Sequence, residues 1–100
     1  MDELIEAVKA LAREEYERAA KKFGGNFNSP HEAYAVILEE LQEAKAEFND
    51  IKDYVGWYWY NIKGNNAESH GNALKALEET AIKAAAECIQ IAAMAYKARK

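Results

Sequence analysis

The sequence has a single cysteine, a single proline, five glycines and no run of about eighteen apolar residues, the length a membrane span requires. One thiol, Cys88, excludes an internal disulfide framework and makes a reducing compartment the default. Charges fall throughout the first twenty residues, so neither a secretory signal nor a membrane span is expected, and the expected location is cytoplasmic. A basic surplus is also missing. Thirteen Lys and Arg stand against seventeen Asp and Glu, a net charge of −4, which argues against a nucleic-acid backbone as the main partner. The only basic cluster, Lys97, Arg99 and Lys100, is what the dipole of a C-terminal helix attracts.

What the chain does contain is helical periodicity. Apolar residues at Leu4, Val8, Leu11, Ala12, Ala19 and Phe23, with charges between, predict an amphipathic helix over residues 2–23. Gly24-Gly25-Asn26-Phe27-Asn28-Ser29-Pro30 breaks it. Ser29-Pro30-His31-Glu32 then restarts a helix, with serine as N-cap, proline at N1 and glutamate at N3. From Tyr34 through Ile37, Leu41, Ala44, Phe48, Ile51, Val55 and Tyr58 to Ile62 the steps of three and four never slip. One continuous helix explains this register, and Asn49-Asp50 is where a kink or a fresh N-cap would divide residues 31–63 into two. Gly64-Asn65-Asn66 ends the element, with Asn66 or Ser69 available to cap the next. The pattern resumes at Leu74, Leu77, Ala81, Ala84, Cys88, Ile91 and Ala95, which makes Cys88 a small core residue.

No strand-like alternation or hairpin signal occurs. The expected fold is a single all-α domain over residues 1–100, an antiparallel bundle of three to four helices. Alanine is abundant and brings little apolar area to a core, so the bundle is expected to be completed by oligomerisation, as a homodimer or homotetramer.

Chemistry concentrates in Glu39-Glu40-Leu41-Gln42-Glu43, with Glu47 one turn on. At about 100° per residue, Glu40, Glu43 and Glu47 share one flank of the apolar stripe. Like charges three and four residues apart repel, so the ridge calls for a cation, and Lys45 lies off this flank. A Glu-rich helix face is ordinarily just solvated, but carboxylates projected from facing helices are also how bundles hold hard divalent cations. The last helix supplies counterparts: Glu87 has the same offset from its stripe as Glu40, and position 90, a glutamine, matches Glu43.

The pattern Glu39-Glu40-x-x-Glu43 followed by Glu87-x-x-Gln90 resembles that of the MazG-like all-α nucleoside triphosphate pyrophosphohydrolases, E-E-x-x-E followed by E-x-x-D. The likeness covers residues 29–48 and 79–97, roughly two fifths of the chain, and their text reads like small family members of bacterial and phage origin. Gln90 replaces the family's aspartate, and the segment between the half-motifs is longer than in compact members. The resemblance implies Mg²⁺, with Mn²⁺ as an alternative, held by Glu40, Glu43, Glu87 and Gln90. It implies a nucleoside triphosphate cleaved between the α- and β-phosphates with release of pyrophosphate. Glu39 is the candidate for water activation or for support behind the ligands, and Lys83, one turn before Glu87, for contact with phosphate. A glutamine removes one negative charge, so weaker metal binding and reduced activity are expected. The rival expectation is a helical oligomer that kept the fold, lost the chemistry and serves as a binding or regulatory module.

Tyr54-Val55-Gly56-Trp57-Tyr58-Trp59-Tyr60 points aromatic side chains all round a helix, as an oligomer interface or as a stacking platform in which Trp57 would meet a base. Gly56 suggests a close approach or a bend. His31 and His70 lie near helix starts with no zinc-ligand partner at the right spacing. The Gly24-Gly25 loop lacks the phosphate-cradling glycine-lysine pattern.

Overall fold

The computed structural model describes residues 1–100, apart from the side chain of residue 68. The chain is 89% helical, with no strand among the described residues. It runs α1 (Asp2–Phe23), α2 (Pro30–Lys63) and α3 (Ala67–Arg99). Among the described residues no helix is long and apolar enough to cross a membrane.

Each boundary has a local cause. The Ser29 hydroxyl accepts from the Glu32 amide at 3.1 Å, while the Glu32 carboxylate takes the Asn28 amide and side chain at 3.2 and 3.1 Å. The start of α2 thus has the Glu32 amide capped, and Pro30 brings no N–H to satisfy. Helix α1 stops where Gly24 takes a positive φ of 91°. At the hairpin tip Asn65 adopts φ 55°, its neighbour's amide reaches back to the Asn61 carbonyl at 3.0 Å, and Asn66 caps α3 through Ser69. His70 is half-buried here. Its Nε2 lies 2.8 Å from the Asn61 carbonyl oxygen, and its ring meets Tyr58 edge-on at 5.8 Å.

Helix α2 is continuous through Asn49-Asp50 and through Gly56, where an added Cβ would meet nothing. The expected close approach at Gly56 is therefore absent. Helices α2 and α3 form a long antiparallel hairpin, and α1 lies along α3 rather than α2. The three meet near one end around Tyr16, Ala93 and Met94, with Phe27, Val36 and Ile37 packed against them. Tyr16 sits edge-on to Tyr96 at 4.9 Å, and its hydroxyl donates to the Gly25 carbonyl at 3.0 Å.

The hairpin seam differs from the expected stripe by one residue. On α2 the covered positions are Ala33, Ile37, Glu40, Ala44, Glu47, Ile51, Tyr54, Tyr58 and Asn61; on α3 they are His70, Ala73, Leu77, Thr80, Ala84, Glu87, Ile91 and Met94. Tyr34, Leu41, Phe48, Val55 and Ile62 are exposed, as are Leu74, Ala81 and Ala95. Cys88 is exposed too, which corrects its reading as a core residue. On α1 the buried face runs through Ala12, Glu15, Tyr16, Ala19 and Ala20, leaving Leu4, Val8, Leu11 and Phe23 exposed.

Candidate metal centre

The shifted seam decides what the acidic ridge can do. Glu40 and Glu87 occupy core-facing positions on opposing helices, and Glu43 lies one turn after Glu40 on the neighbouring flank. Each of the three offers a carboxylate oxygen, and those atoms lie within 4.8 Å of one another. Glu40 and Glu87 are half-buried, and Glu43 is exposed. Among the described residues the ion pairs are Lys9 with Glu6 and Arg18 with Glu15, so no side-chain cation pairs with this cluster.

Crowding shows in the protonation equilibria. A hydrogen bond with Glu87 and the charge of Glu87 push the Glu43 carboxyl above its ordinary pKa, with lesser contributions from desolvation and from Glu39 and Glu47. Glu87 is raised as well, first by burial, then by a hydrogen bond with Glu40 and the charges of Glu40 and Glu47, while the hydrogen bond with Glu43 works the other way. Proximity of like charges thus favours the protonated form of both carboxyls.

Gln90 lies at the matching position on α3 but turns to α1. Its Nε2 donates to Glu15 at 2.8 Å, and the other Glu15 oxygen accepts from the Arg18 guanidinium. Glu39 and Lys83 are exposed, and Trp57 is largely so, its ring 6.4 Å from Tyr54. The structure thus brings Glu40, Glu43 and Glu87 together and leaves Glu39, Lys83 and Trp57 outside the cluster.

Beside the cluster opens a cleft of about 640 Å³ between the second half of α1, the α1–α2 loop and the start of α2. Its charged lining is mixed, Arg18, Lys22 and Lys97 against Glu15, Glu32 and Glu40, with Gln90 beside them. Phe23 and Phe27 complete an aromatic rim. The chain matches no protein-family model, no curated protein and no solved structure.

The cleft residues escaped the sequence reading. Lys97 was expected to be a plain helix-end cation, yet it is buried with its Nζ 4.3 Å from the centre of the Phe27 ring. Arg18 and Lys22 carried one usable signal, a pair of cations one helical turn apart beside Phe23. Glu40 thus belongs both to the carboxylate cluster and to a cleft of mixed charge, where Arg18, Lys22 and Lys97 stand with Glu15 and Glu32.

Proposed function

We propose that the chain is a Mg²⁺-dependent nucleoside triphosphate pyrophosphohydrolase of the MazG-like kind, with Mn²⁺ as an alternative ion. The observation that carries this reading is the convergence of Glu40, Glu43 and Glu87 from two helices beside a cleft that also holds Arg18, Lys22 and Lys97. The donor set suits the ion: three carboxylates without a paired cation match the hard-oxygen preference of Mg²⁺ and leave positions for water and phosphate oxygens. When bound, the ion would neutralise phosphate charge and make the attacking water more acidic.

The chain's own residues divide the remaining work. Arg18, Lys22 and Lys97 take the outer phosphates, and Phe23 and Phe27 offer faces to a base. Glu39, exposed beside the cluster, takes the proton of the water that attacks phosphorus. The bond between the bridging oxygen and the attacked phosphorus breaks, and pyrophosphate leaves with the electron pair. Gln90, held to Glu15, is a neutral partner where a fourth carboxylate would add charge, which lowers metal affinity.

The same hydrogen bond favours the second reading, a non-catalytic helical binding or regulatory module, because it turns the amide of the fourth position toward α1. The test is pyrophosphate release from a panel of ribo- and deoxyribonucleoside triphosphates with Mg²⁺ or Mn²⁺. Turnover by the native chain that is lost in Glu87→Gln supports the enzyme. Turnover in Gln90→Asp alone assigns the native chain to the second reading, and turnover in neither rejects the catalytic proposal.

A further inference from the structure

We propose that the trough between the first half of α1 and the end of α3 is a binding site for an amphipathic organic anion, of which a medium-chain fatty acid is the simplest kind. The trough has a volume of about 590 Å³, within the range of about 300–1,000 Å³ typical of small-molecule sites. Leu4, Ile5 and Val8 of α1 form one side, and Ala92 and Ala95 of α3 the other. It shares no lining residue with the cleft beside Glu40, so it is a separate site.

Its charge is of one sign. The charged residues that line it are Lys9, Arg13 and Arg99, with no carboxylate among the described residues, in a chain whose net charge is −4. Lys9 is engaged by Glu6 at 3.1 Å, whereas Arg13 and Arg99 have no carboxylate partner among the described residues. Both guanidiniums lie over the Tyr96 ring, at 3.8 and 5.0 Å from its centre, and so gather at one end of the trough. Tyr96 is held in turn by the edge-on contact with Tyr16. A guanidinium over a ring keeps the N–H donors of its edge free, and that fork matches a carboxylate. Two such forks beside an apolar wall complement a ligand with an anionic head and an apolar body.

The helix sets the length of that body. Leu4 and Arg13 are nine residues apart on α1, about 13 Å along its axis, close to the length of extended decanoate. Other occupants fit less well. A second copy laid symmetrically on this face would bring its own Lys9, Arg13 and Arg99 and no acid to meet them. An inorganic anion would leave Leu4 58%, Ile5 45% and Val8 38% exposed to water.

Isothermal titration calorimetry of the full chain with sodium decanoate, below its micelle concentration, tests this without metal or nucleotide. The native protein is expected to bind one decanoate with a negative heat-capacity change. Octanoate is expected to bind about fifteenfold more weakly, each methylene contributing about fourfold. Decanol and decyltrimethylammonium, which lack the negative charge, are expected to bind at least about tenfold more weakly than decanoate. Arg99→Gln should lose about tenfold in decanoate affinity and leave decanol unchanged. Arg13→Gln repeats the charge test from the other helix, so that one variant stands if the other fails to fold, as read by circular dichroism. Val8→Trp, which fills the trough, should weaken decanoate and decanol alike. No saturable binding by the native protein overturns the proposal. So does equal affinity for decanoate and decanol, or decanoate affinity undiminished in the folded arginine variants or in Val8→Trp.

Discussion

Replacing Glu87 by glutamine probes the acidic cluster with a sign as well as a size. Glutamine keeps the shape of glutamate, exchanges one acceptor oxygen for a donating NH2 and removes one charge. If Glu87 is a spent structural residue, losing its hydrogen bonds lowers stability. If it is a ligand waiting for a cation, removing it relieves repulsion and raises stability in the metal-free protein. At the 4.8 Å limit of the cluster, one charge pair between Glu40 and Glu87 costs about 1 kcal/mol at the dielectric of water. Partial exposure keeps the value near that figure rather than the larger one of a dry interior. Relief of about 1 kcal/mol shifts the midpoint of a domain this size by about 4–8 °C. Thermal unfolding by circular dichroism in chelator, and then with Mn²⁺, should show Glu87→Gln above the native protein without metal. With metal the order should reverse, because only the native protein gains by mass action, about 2.7 kcal/mol at a hundredfold excess over Kd. A variant that melts below the native protein in chelator, or a native protein indifferent to Mn²⁺, refutes the reasoning.

The raised carboxyls of Glu43 and Glu87 also fix a pH dependence. Their folded pKa values exceed the unfolded ones, so the folded state binds more protons within that window. Metal-free stability should therefore decline as pH rises from below the ordinary carboxylate range through the raised values, and Mn²⁺ should flatten the decline. A midpoint that climbs with pH over that window contradicts it. Tyr16→Phe removes a hydroxyl that donates to Gly25 and accepts from Lys100 Nζ at 2.5 Å, leaving the Gly25 carbonyl without that donor. Urea unfolding should register a loss of about 1–2 kcal/mol with an unchanged m-value.

Helix boundaries were legible because capping chemistry is local: Ser29, Pro30, Glu32 and Asn66 act on amides within four residues of themselves. The seam was misread by one residue for a physical reason. Aliphatic content points to Leu41, Phe48 and Val55, but the chain covers Glu40, Glu47 and Tyr54 instead and leaves the aliphatic row exposed. The approach of Glu40 to Glu87 was still foreseeable, because they hold equal offsets on antiparallel helices, and Glu43 joins them from one turn further along α2. The cleft was not foreseeable. It depends on where α1 crosses α3, which Gln90, Tyr96 and Met94 decide through contacts with Glu15, Tyr16 and their neighbours, all distant in sequence.

The one-residue offset between the acidic and aliphatic rows constrains how the chain can change length. One residue inserted into α2 between Ala33 and Glu40 would rotate everything after it by about 100° relative to the hairpin partner, presenting a different row to α3. Insertions of seven residues in both arms would preserve the rows, because two turns of helix return the side chains close to their starting direction. The loops at Gly24–Asn28 and Gly64–Asn66 carry no such requirement. Length variation should therefore collect in the loops, and the hairpin should grow or shrink in steps of seven.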